Sequence, residues 1–252
     1  MIQALLLSVG IAGRWEKFAD EFTQSFITDN RWRYMATGLK NTLIVTICAL
    51  LLGVVLGVIV AVIRSTYDQK RSEMRGVGGA LMTALNEICK VYLTVVRGTP
   101  VAIQILIMYF IFFGQSRNTI LAAVLAFGIN SGAYVAEIVR GGIMGVDPGQ
   151  MEAGRSLGLG YIQTMWHIVV PQAIKSILPS LGNELITLLK ETSVCTFIGL
   201  TDITKGATII QGRTFLAFFP LMGAAAIYLT LVMFLSFLLG KVERRLRSSD
   251  RH

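Results

Sequence analysis

The sequence is poor in charged residues and in the residue types that build most catalytic and metal sites. Asp, Glu, Lys and Arg make up 15% of its 252 residues, and there are three cysteines and two histidines. Cys48, Cys89 and Cys195 show neither metal-ligand spacing nor a disulfide pattern, so we interpret them as small apolar packing residues. One histidine is the last residue, and the other, His167, has no second histidine or cysteine nearby. A metal site is therefore not predicted.

A nucleotide-binding loop is also absent, since no Gly-x4-Gly-Lys-Ser/Thr pattern occurs. The backbone N–H groups of such a loop hold the phosphates of ATP, so the chain itself is not expected to bind ATP. One internal histidine and a second at the last position do not provide a nucleophile and base pair. We therefore predict no cofactor and no catalytic residues in this chain, and we do not expect it to be an enzyme.

Apolar residues, by contrast, are in excess. They make up 54% of the chain, and the mean hydropathy is +0.64. Residues 41–63 contain no charge, and a helix of this length extends about 34 Å, enough to cross the hydrocarbon core of a bilayer. The sequence therefore predicts an integral membrane protein.

Five transmembrane helices account for the apolar pattern and predict an all-α fold. The fourth contains Pro171 and Pro179, each of which removes a backbone donor, so we expect a broken helix there. Residues 194–215 are more polar and are interpreted as a connecting segment. The predicted spans are residues 41–63, about 79–114, 120–139, a span that begins near 168, and 216–240.

Basic residues predict which side of the membrane each end of the chain occupies. The loop 64–75 and the tail 241–251 hold nine of the 23 Lys and Arg residues, whereas the segments 115–119 and 194–215 hold three. Short basic segments beside transmembrane helices remain in the cytoplasm. We therefore predict an outside amino terminus, a cytoplasmic carboxyl terminus and a cytoplasmic segment 141–167. The net charge of +8 then reflects basic loops beside anionic lipid, so nucleic acid is not expected as a partner.

The same pattern divides the chain into three parts. Residues 1–34 are predicted to be an amphipathic extension, residues 35–247 the transmembrane domain, and residues 248–252 the end of the cytoplasmic tail. The first 13 residues are apolar, but they lack a basic start and are too short to span, so neither a secretory signal nor a membrane helix is expected. Five basic residues within the first 40 lie on the predicted outer side, which conflicts with the charge rule.

Residues 147–165 form a polar, glycine-containing helical segment between strongly apolar ones. Gly154 and Gly158 are four residues apart, which would place them on one helix face as a smooth patch for a close contact. Glu152 lies near the predicted helix start, where the dipole favours an anion. A helix resting on lipid head groups is the alternative, but such helices are usually rich in basic residues and this one offers Arg155 alone from 150 to 166. The composition favours docking of a protein partner.

This segment resembles the EAA motif of membrane subunits of ATP-binding-cassette importers. In that motif Glu-Ala-Ala is followed by Gly and then by Ile and Leu-Pro. This chain has Gly154 in place of the second Ala and Val170 in place of the Leu, both small steric changes. The matching positions are Glu152, Ala153, Gly158, Ile168 and Pro171.

Further segments resemble the polar amino acid branch of these importers, and they follow one another in the same order within residues 35–247. The resemblance implies a five-span permease with a cytoplasmic coupling helix, as in type I ABC importers. The segments are residues 38–46, 97–100, 131–137, 183–184 and 190–193.

The resemblance also implies partners. Such a permease lies in the inner membrane, pairs with a second permease subunit that is either a copy or a different chain, and receives substrate from a periplasmic or extracellular binding protein. Two ATPase subunits would bind ATP and dock on the coupling helix. The predicted docking residues are Asp147, Gln150, Glu152, Ala153, Arg155, Leu157 and Gly158.

Polar residues at membrane depth indicate where substrate passes, because they are costly there. Gly98 and Pro100 can loosen the helix after Arg97, whose guanidinium could bind a carboxylate. Polar residues also recur at helical spacing in the fourth span, where the carboxylate of Glu184 would pair with a cationic group of a polar amino acid such as lysine, arginine or histidine. The predicted substrate-binding residues are Arg97, Thr99, Asn183, Glu184 and Thr187.

Other charged residues of the spans admit a structural interpretation. Residues three apart on a helix can neutralise one another, and we favour such local pairs over substrate contact for Glu87 with Lys90 and for Glu137 with Arg140. A network that holds a dimer together is as good an interpretation as a role in the pathway for Lys190 and Glu191.

A secondary transporter or channel and a membrane-embedded enzyme are the alternatives to the function of an importer subunit. A stand-alone secondary transporter or channel would not need a docking segment, and no inverted repeat is evident in the sequence. A membrane-embedded enzyme would need reactive groups that the chain lacks. The importer permease is the function that the sequence favours.

Overall fold

The computed structural model describes residues 14–71, 75–114, 116 and 118–248, and these residues form helices joined by short turns. No β-strand occurs among them, so the predicted all-α fold is confirmed. Residues 1–13 of the predicted extension, Glu73, Arg117 and residues 249–252 of the tail lie outside the described residues. The division into 1–34, 35–247 and 248–252 stays a prediction.

The helices follow one another in a simple order along the chain. Four of them continue directly into a π-helical or 3-10 stretch, at Thr23–Ile27, Met108–Phe112, Met165–Val169 and Thr192–Ile198. The helices are α1 (14–22), α2 (Trp32–Lys70), α3 (Gly76–Gly98), α4 (Val101–Ile107), α5 (Thr119–Met144), α6 (Pro148–Ser156), α7 (Tyr161–Thr164), α8 (Val170–Glu191), α9 (Ile203–Thr214) and α10 (Phe218–Ser248).

Four helices of the described part are long and apolar enough to cross a membrane, namely α2, α3, α5 and α10. The predicted fourth span corresponds to α8, which is long but more polar than these four. The predicted break in it is wrong, because α8 runs as one helix from Val170 to Glu191. Pro171 lies directly after the π-helical turn Met165–Val169 that leads into α8, and Pro179 is accommodated inside α8.

The predicted second span, by contrast, is two helices. α3 ends at Gly98 and α4 begins at Val101, while Thr99 and Pro100 between them have extended backbone angles. Proline disfavours helical geometry in the residue before it and has no N–H to donate. The loosening expected after Arg97 is therefore a complete interruption of the helix.

The centre of the molecule is α5, whose small residues allow close contact with α2. A Cβ atom placed on Gly57 of α2 would lie 2.6 Å from the Cβ of Val135, and one on Gly53 would lie 2.9 Å from the Cβ of Ser131. Val135 and Phe127 of α5 are completely buried. α5 therefore holds a fixed position against α2, and the polar residues of its middle turns are presented to α3, α4 and α8.

Candidate functional site

The predicted docking segment is built from two short helices rather than one. Asp147 caps the start of α6, because its Oδ1 accepts a hydrogen bond of 2.8 Å from the backbone N–H of Gly149. Pro148 occupies the first turn of α6. The Tyr161 hydroxyl of α7 donates to Oε1 of Gln69 at 2.8 Å, which places the segment at the end of α2. Burial raises the pKa of Tyr161, so this phenol remains a neutral donor.

Gly158 ends α6 instead of lying on its face. Its φ of +83° is left-handed, its N–H donates to the carbonyl of Arg155 at 2.9 Å, and the N–H of Leu159 donates to the carbonyl of Gly154 at 3.1 Å. These two bonds form a Schellman cap, which favours glycine at this position. The predicted smooth face of Gly154 and Gly158 is therefore wrong, because the helix has already ended before Gly158.

Gly154 is buried between α6 and α7. A Cβ atom there would lie 2.9 Å from Oγ1 of Thr164 and 3.0 Å from Cδ1 of Ile168. The substitution of Gly for Ala relative to the EAA motif is therefore not a neutral steric change, since the neighbouring Thr164 fills the space that a methyl group would need.

Most of the predicted docking residues are exposed, but two have structural contacts. Gln150 is turned towards α8, where Nε2 of Gln172 donates to its Oε1 at 3.2 Å, and Asp147 is the cap of α6. Leu157 is 81% exposed, and Ile162, which the sequence analysis missed, is 78% exposed. We call the following residues the docking surface: Glu152, Ala153, Arg155, Leu157, Gly158 and Ile162.

The side chain of Gln104 forms hydrogen bonds across the interruption between α3 and α4. Its Nε2 lies 2.7 Å from the carbonyl oxygen of Val96, 3.1 Å from that of Thr99 and 2.8 Å from the Thr99 hydroxyl. Nδ2 of the buried Asn130 donates to Oε1 of Gln104 at 3.0 Å. The amide thus satisfies carbonyls that the interruption frees, as membrane depth requires. Neither amide was predicted from the sequence, although Gln104 is a polar residue in the apolar run that follows Pro100.

Arg97, at the end of α3, faces a carboxylate of the protein itself. Its Nη1 lies 4.0 Å from Oε1 of Glu137, and its guanidinium lies over the ring of Tyr134, 5.5 Å from the centroid. Glu137 also accepts hydrogen bonds from Arg64 at 2.9 Å and from Arg140 at 3.1 Å. The local pair of Glu137 with Arg140 is confirmed, but the contact with Arg64 of α2 was not predicted.

The second predicted local pair is also present, since Nζ of Lys90 lies 2.7 Å from Oε1 of Glu87. Both side chains are about half exposed. This pair therefore neutralises two charges on α3 without withdrawing either of them from the surface.

Glu184, the predicted cation-binding residue, lies against the middle of α5. Its Oε1 accepts a hydrogen bond of 2.8 Å from the Ser131 hydroxyl. Asn183 and Thr187 are exposed beside it on α8, and Lys190 is exposed on the same face. This polar face is longer than predicted, because it continues towards α6 through three residues that the sequence analysis missed, namely Gln172, Ser176 and Ser180.

The predicted substrate residues form two groups. Asn183, Glu184 and Thr187 lie on α8 at the level of Ser131, whereas Arg97 reaches α5 at Tyr134 and Glu137. Residues 131 and 137 are about 9 Å apart along the axis of α5. Thr99 is engaged by Gln104 at the interruption. The structure therefore does not bring Arg97 and Glu184 together at one point.

Comparison with known proteins places the chain in a family of transport proteins. Residues 76–248 match the family described as "Binding-protein-dependent transport system inner membrane component". The putative glutamine transport system permease protein GlnP of Rickettsia bellii is 38% identical over 192 residues, which cover 70% of this chain and 88% of that protein. The arginine transport system permease protein ArtQ of Bacillus subtilis is 43% identical over 166 residues, or 65% of this chain and 76% of that protein.

Two solved structures resemble the chain in three dimensions. A crystal structure of an amino acid ABC transporter with histidines has a TM-score of 0.76 and 39% identity, and the match covers 87% of this chain and 98% of the other. An inward-facing structure of the MetNI methionine ABC transporter has a TM-score of 0.68 at 19% identity and covers 84% of this chain and 95% of the other. The second likeness supports the fold alone.

Proposed function

The chain belongs to the family of inner membrane components of binding-protein-dependent transport systems, and we propose that it forms the pathway through which such a system imports polar amino acids. Membership in the family confirms the resemblance inferred from the motif at Glu152 to Pro171. The proposal rests on one observation: Glu184, on the polar face of α8, places its carboxylate against the middle of α5.

A permease of this family works with ATP-binding subunits and a substrate-binding protein. In our proposal the chain has no ATPase site of its own, and the partner subunits bind and hydrolyse ATP. They would dock on the docking surface, because this two-helix segment exposes the apolar side chains of Leu157 and Ile162 as well as charged ones. A second permease subunit, either a copy or a different chain, completes the pathway.

The proposed orientation places α6 and α7 in the cytoplasm, the amino terminus outside and the carboxyl terminus inside. The contact of Tyr161 with Gln69 supports it, because it brings the docking surface to the end of α2 that leads into the basic loop. The inner membrane is the location that the family implies.

A carboxylate at the level of Ser131 favours substrates that bring a positive charge. The two relatives are named as glutamine and arginine permeases, and both of these amino acids have an ammonium group. An anion within the membrane is stabilised when it is paired with such a cation. We therefore propose Glu184 as the residue that receives the ammonium group or a cationic side chain.

Replacement of Glu184 by Gln is expected to lower uptake of arginine and lysine more strongly than uptake of glutamine. The loss of one partner of a charged hydrogen bond costs about 2–3 kcal/mol, so the KM for a cationic amino acid should rise roughly 30- to 100-fold. Uptake of each amino acid by reconstituted vesicles measures the effect. Ser131→Ala is the matched control, since it removes the neutral partner of Glu184 and keeps the charge. Unchanged uptake of all three amino acids in Glu184→Gln would contradict the role of the carboxylate, whereas an equal loss for all three would assign it to the ammonium group.

The function itself is tested by reconstitution of the chain with its native partners. A binding protein loaded with a polar amino acid should stimulate ATP hydrolysis, and the amino acid should accumulate in the vesicles. Uptake that persists without any ATPase subunit would overturn the proposal in favour of a secondary transporter or channel. ATP hydrolysis that responds to no polar amino acid would exclude this class of substrate.

A further inference from the structure

Helix α3 has three distinct faces. One is buried and contains Asn86, Cys89 and Leu93. A second is exposed and apolar and contains Leu81, Leu85, Ile88, Val91 and Val95. The third is exposed and polar, with residues at alternating spacings of four and three that align them along the helix, and we call it the polar face of α3: Thr83, Glu87, Lys90, Thr94 and Arg97.

The two exposed faces cannot share one environment. Apolar side chains are stable against lipid, whereas charged side chains at membrane depth face a water-filled cavity or the interior of a bundle. Arg97 lies beside Tyr134 and Glu137, in the half of α5 that leads to α6. The polar face of α3 therefore extends from the interruption at Thr99 towards the end of the molecule that carries the docking surface.

Two cavities near this face share one lining residue. One, of about 440 Å³, lies between α2, α3 and α5 and is lined by Arg64, Lys90, Thr94, Arg97 and Glu137 among others. The other, of about 940 Å³, lies between α5 and α8 and is lined by Glu137 and by Gln172, Ser176 and Ser180 of the polar face of α8. Glu137 lines both cavities, so the polar faces of α3 and α8 approach the same side chain of α5.

We propose that the smaller cavity is a second subsite for the transported amino acid, placed between Glu184 and the cytoplasm. The proposal rests on the importer function proposed above. Arg97 would bind the carboxylate of the amino acid, because Lys90 is already paired with Glu87. Glu137 accepts from Arg64 and Arg140 and would receive the ammonium group on its remaining lone pairs. At 4.0 Å the contact of Arg97 with Glu137 is longer than a hydrogen bond, so the guanidinium retains donors for a carboxylate.

The charges of the cavity favour a zwitterion over an anionic lipid head group. Of the three cations that line the cavity, Arg64 is paired with Glu137 and Lys90 with Glu87, so a phosphate would find Arg97 as the remaining cation without a short ion pair. An amino acid presents both signs a short distance apart and can use Glu137 as well as Arg97. Both cavity volumes also lie in the range of about 300–1,000 Å³ that small-molecule sites occupy.

Thr94 and Val95 provide a matched pair for the test, because neighbours in a helix point about 100° apart and these two lie on the polar and the apolar face. In a background without Cys48, Cys89 and Cys195, Thr94→Cys and Val95→Cys would be labelled with a charged methanethiosulfonate. The complex with its ATPase subunits is held in lipid nanodiscs.

Labelling of Thr94→Cys should be about tenfold faster than labelling of Val95→Cys, since only a hydrated thiol ionises readily. L-arginine or L-glutamine, whichever is imported, should slow it severalfold, and Arg97→Gln should remove that protection.

Each other outcome would overturn the subsite. Equal labelling at both positions would show that the polar face lines no separate aqueous path. A disulfide between two Thr94→Cys copies would make the face a subunit contact. Protection by anionic lipid in the nanodisc, without protection by amino acids, would make it a lipid site. Uptake by the cysteine-free protein is measured separately, so a failure of the importer function is recognised independently of the labelling pattern.

Discussion

Gly57→Leu is expected to prevent α2 from packing against α5 and thus to abolish the folded permease. A Cβ atom at this position would lie 2.6 Å from both Cβ and Cγ1 of Val135 and 2.8 Å from the backbone nitrogen of Ala136. Helices in membranes associate through close packing of this kind, since lipid offers no hydrophobic drive between them. Overpacking against a backbone atom should destabilise the fold by about 3 kcal/mol or more. The unfolding midpoint in detergent and the yield of monodisperse protein measure this loss.

Gly240→Leu in α10 is the matched control, because a Cβ atom there would meet no other atom within 4 Å. It adds the same side chain to another long apolar helix of the described part and should leave the midpoint unchanged. If both variants were equally stable, α2 would not be held against α5 at Val135, and the central position of α5 would be wrong.

Leu157→Asp is expected to detach the ATPase subunits and to reduce uptake to background. Leu157 is 81% exposed at the end of α6, and a leucine buried in an interface contributes about 2 kcal/mol. Placing an unpaired carboxylate in the same contact costs more than the lost burial, so the affinity should fall at least about 100-fold. Co-purification of the ATPase subunits and uptake by reconstituted vesicles both report the effect. The lone permease should remain folded, because Leu157 has little contact with the rest of the chain.

Val77→Asp offers a control for the new charge itself. Val77 is 87% exposed at the start of α3, so it also places a carboxylate on an exposed apolar position, but outside the docking surface. It should leave co-purification intact. Full retention of the ATPase subunits by Leu157→Asp would place the coupling contact elsewhere on the permease.

The sequence was sufficient for those features that depend on local patterns. The uncharged run of residues 41–63 predicts a membrane helix, and it lies inside α2. Gly98 and Pro100 predict a loosened helix because proline acts on its own backbone and on its neighbour. The pair of Glu87 and Lys90 also follows from helical spacing alone, and the structure contains it.

Features that depend on which helices meet could not be predicted in the same way. Arg64 bonds to Glu137 across 73 residues of sequence, and Ser131 bonds to Glu184 across 53. Spacing also misled the interpretation of Gly154 and Gly158, because a four-residue interval implies a shared face only while the helix continues. The left-handed backbone of Gly158 ends α6 within that interval.

The side-chain amide at the interruption has a mechanical consequence. Pro100 has no backbone N–H, so no hydrogen bond from it can be lost. The carbonyls of Val96 and Thr99 already accept from the side chain of Gln104. A change of angle between α3 and α4 can therefore proceed by torsions of one flexible side chain, which has three acceptors within 3.1 Å. Elsewhere in a membrane helix the same tilt would break backbone bonds in a medium that offers no replacement. The angle between α3 and α4 can therefore change here without the loss of backbone hydrogen bonds. The guanidinium of Arg97 lies next to this interruption.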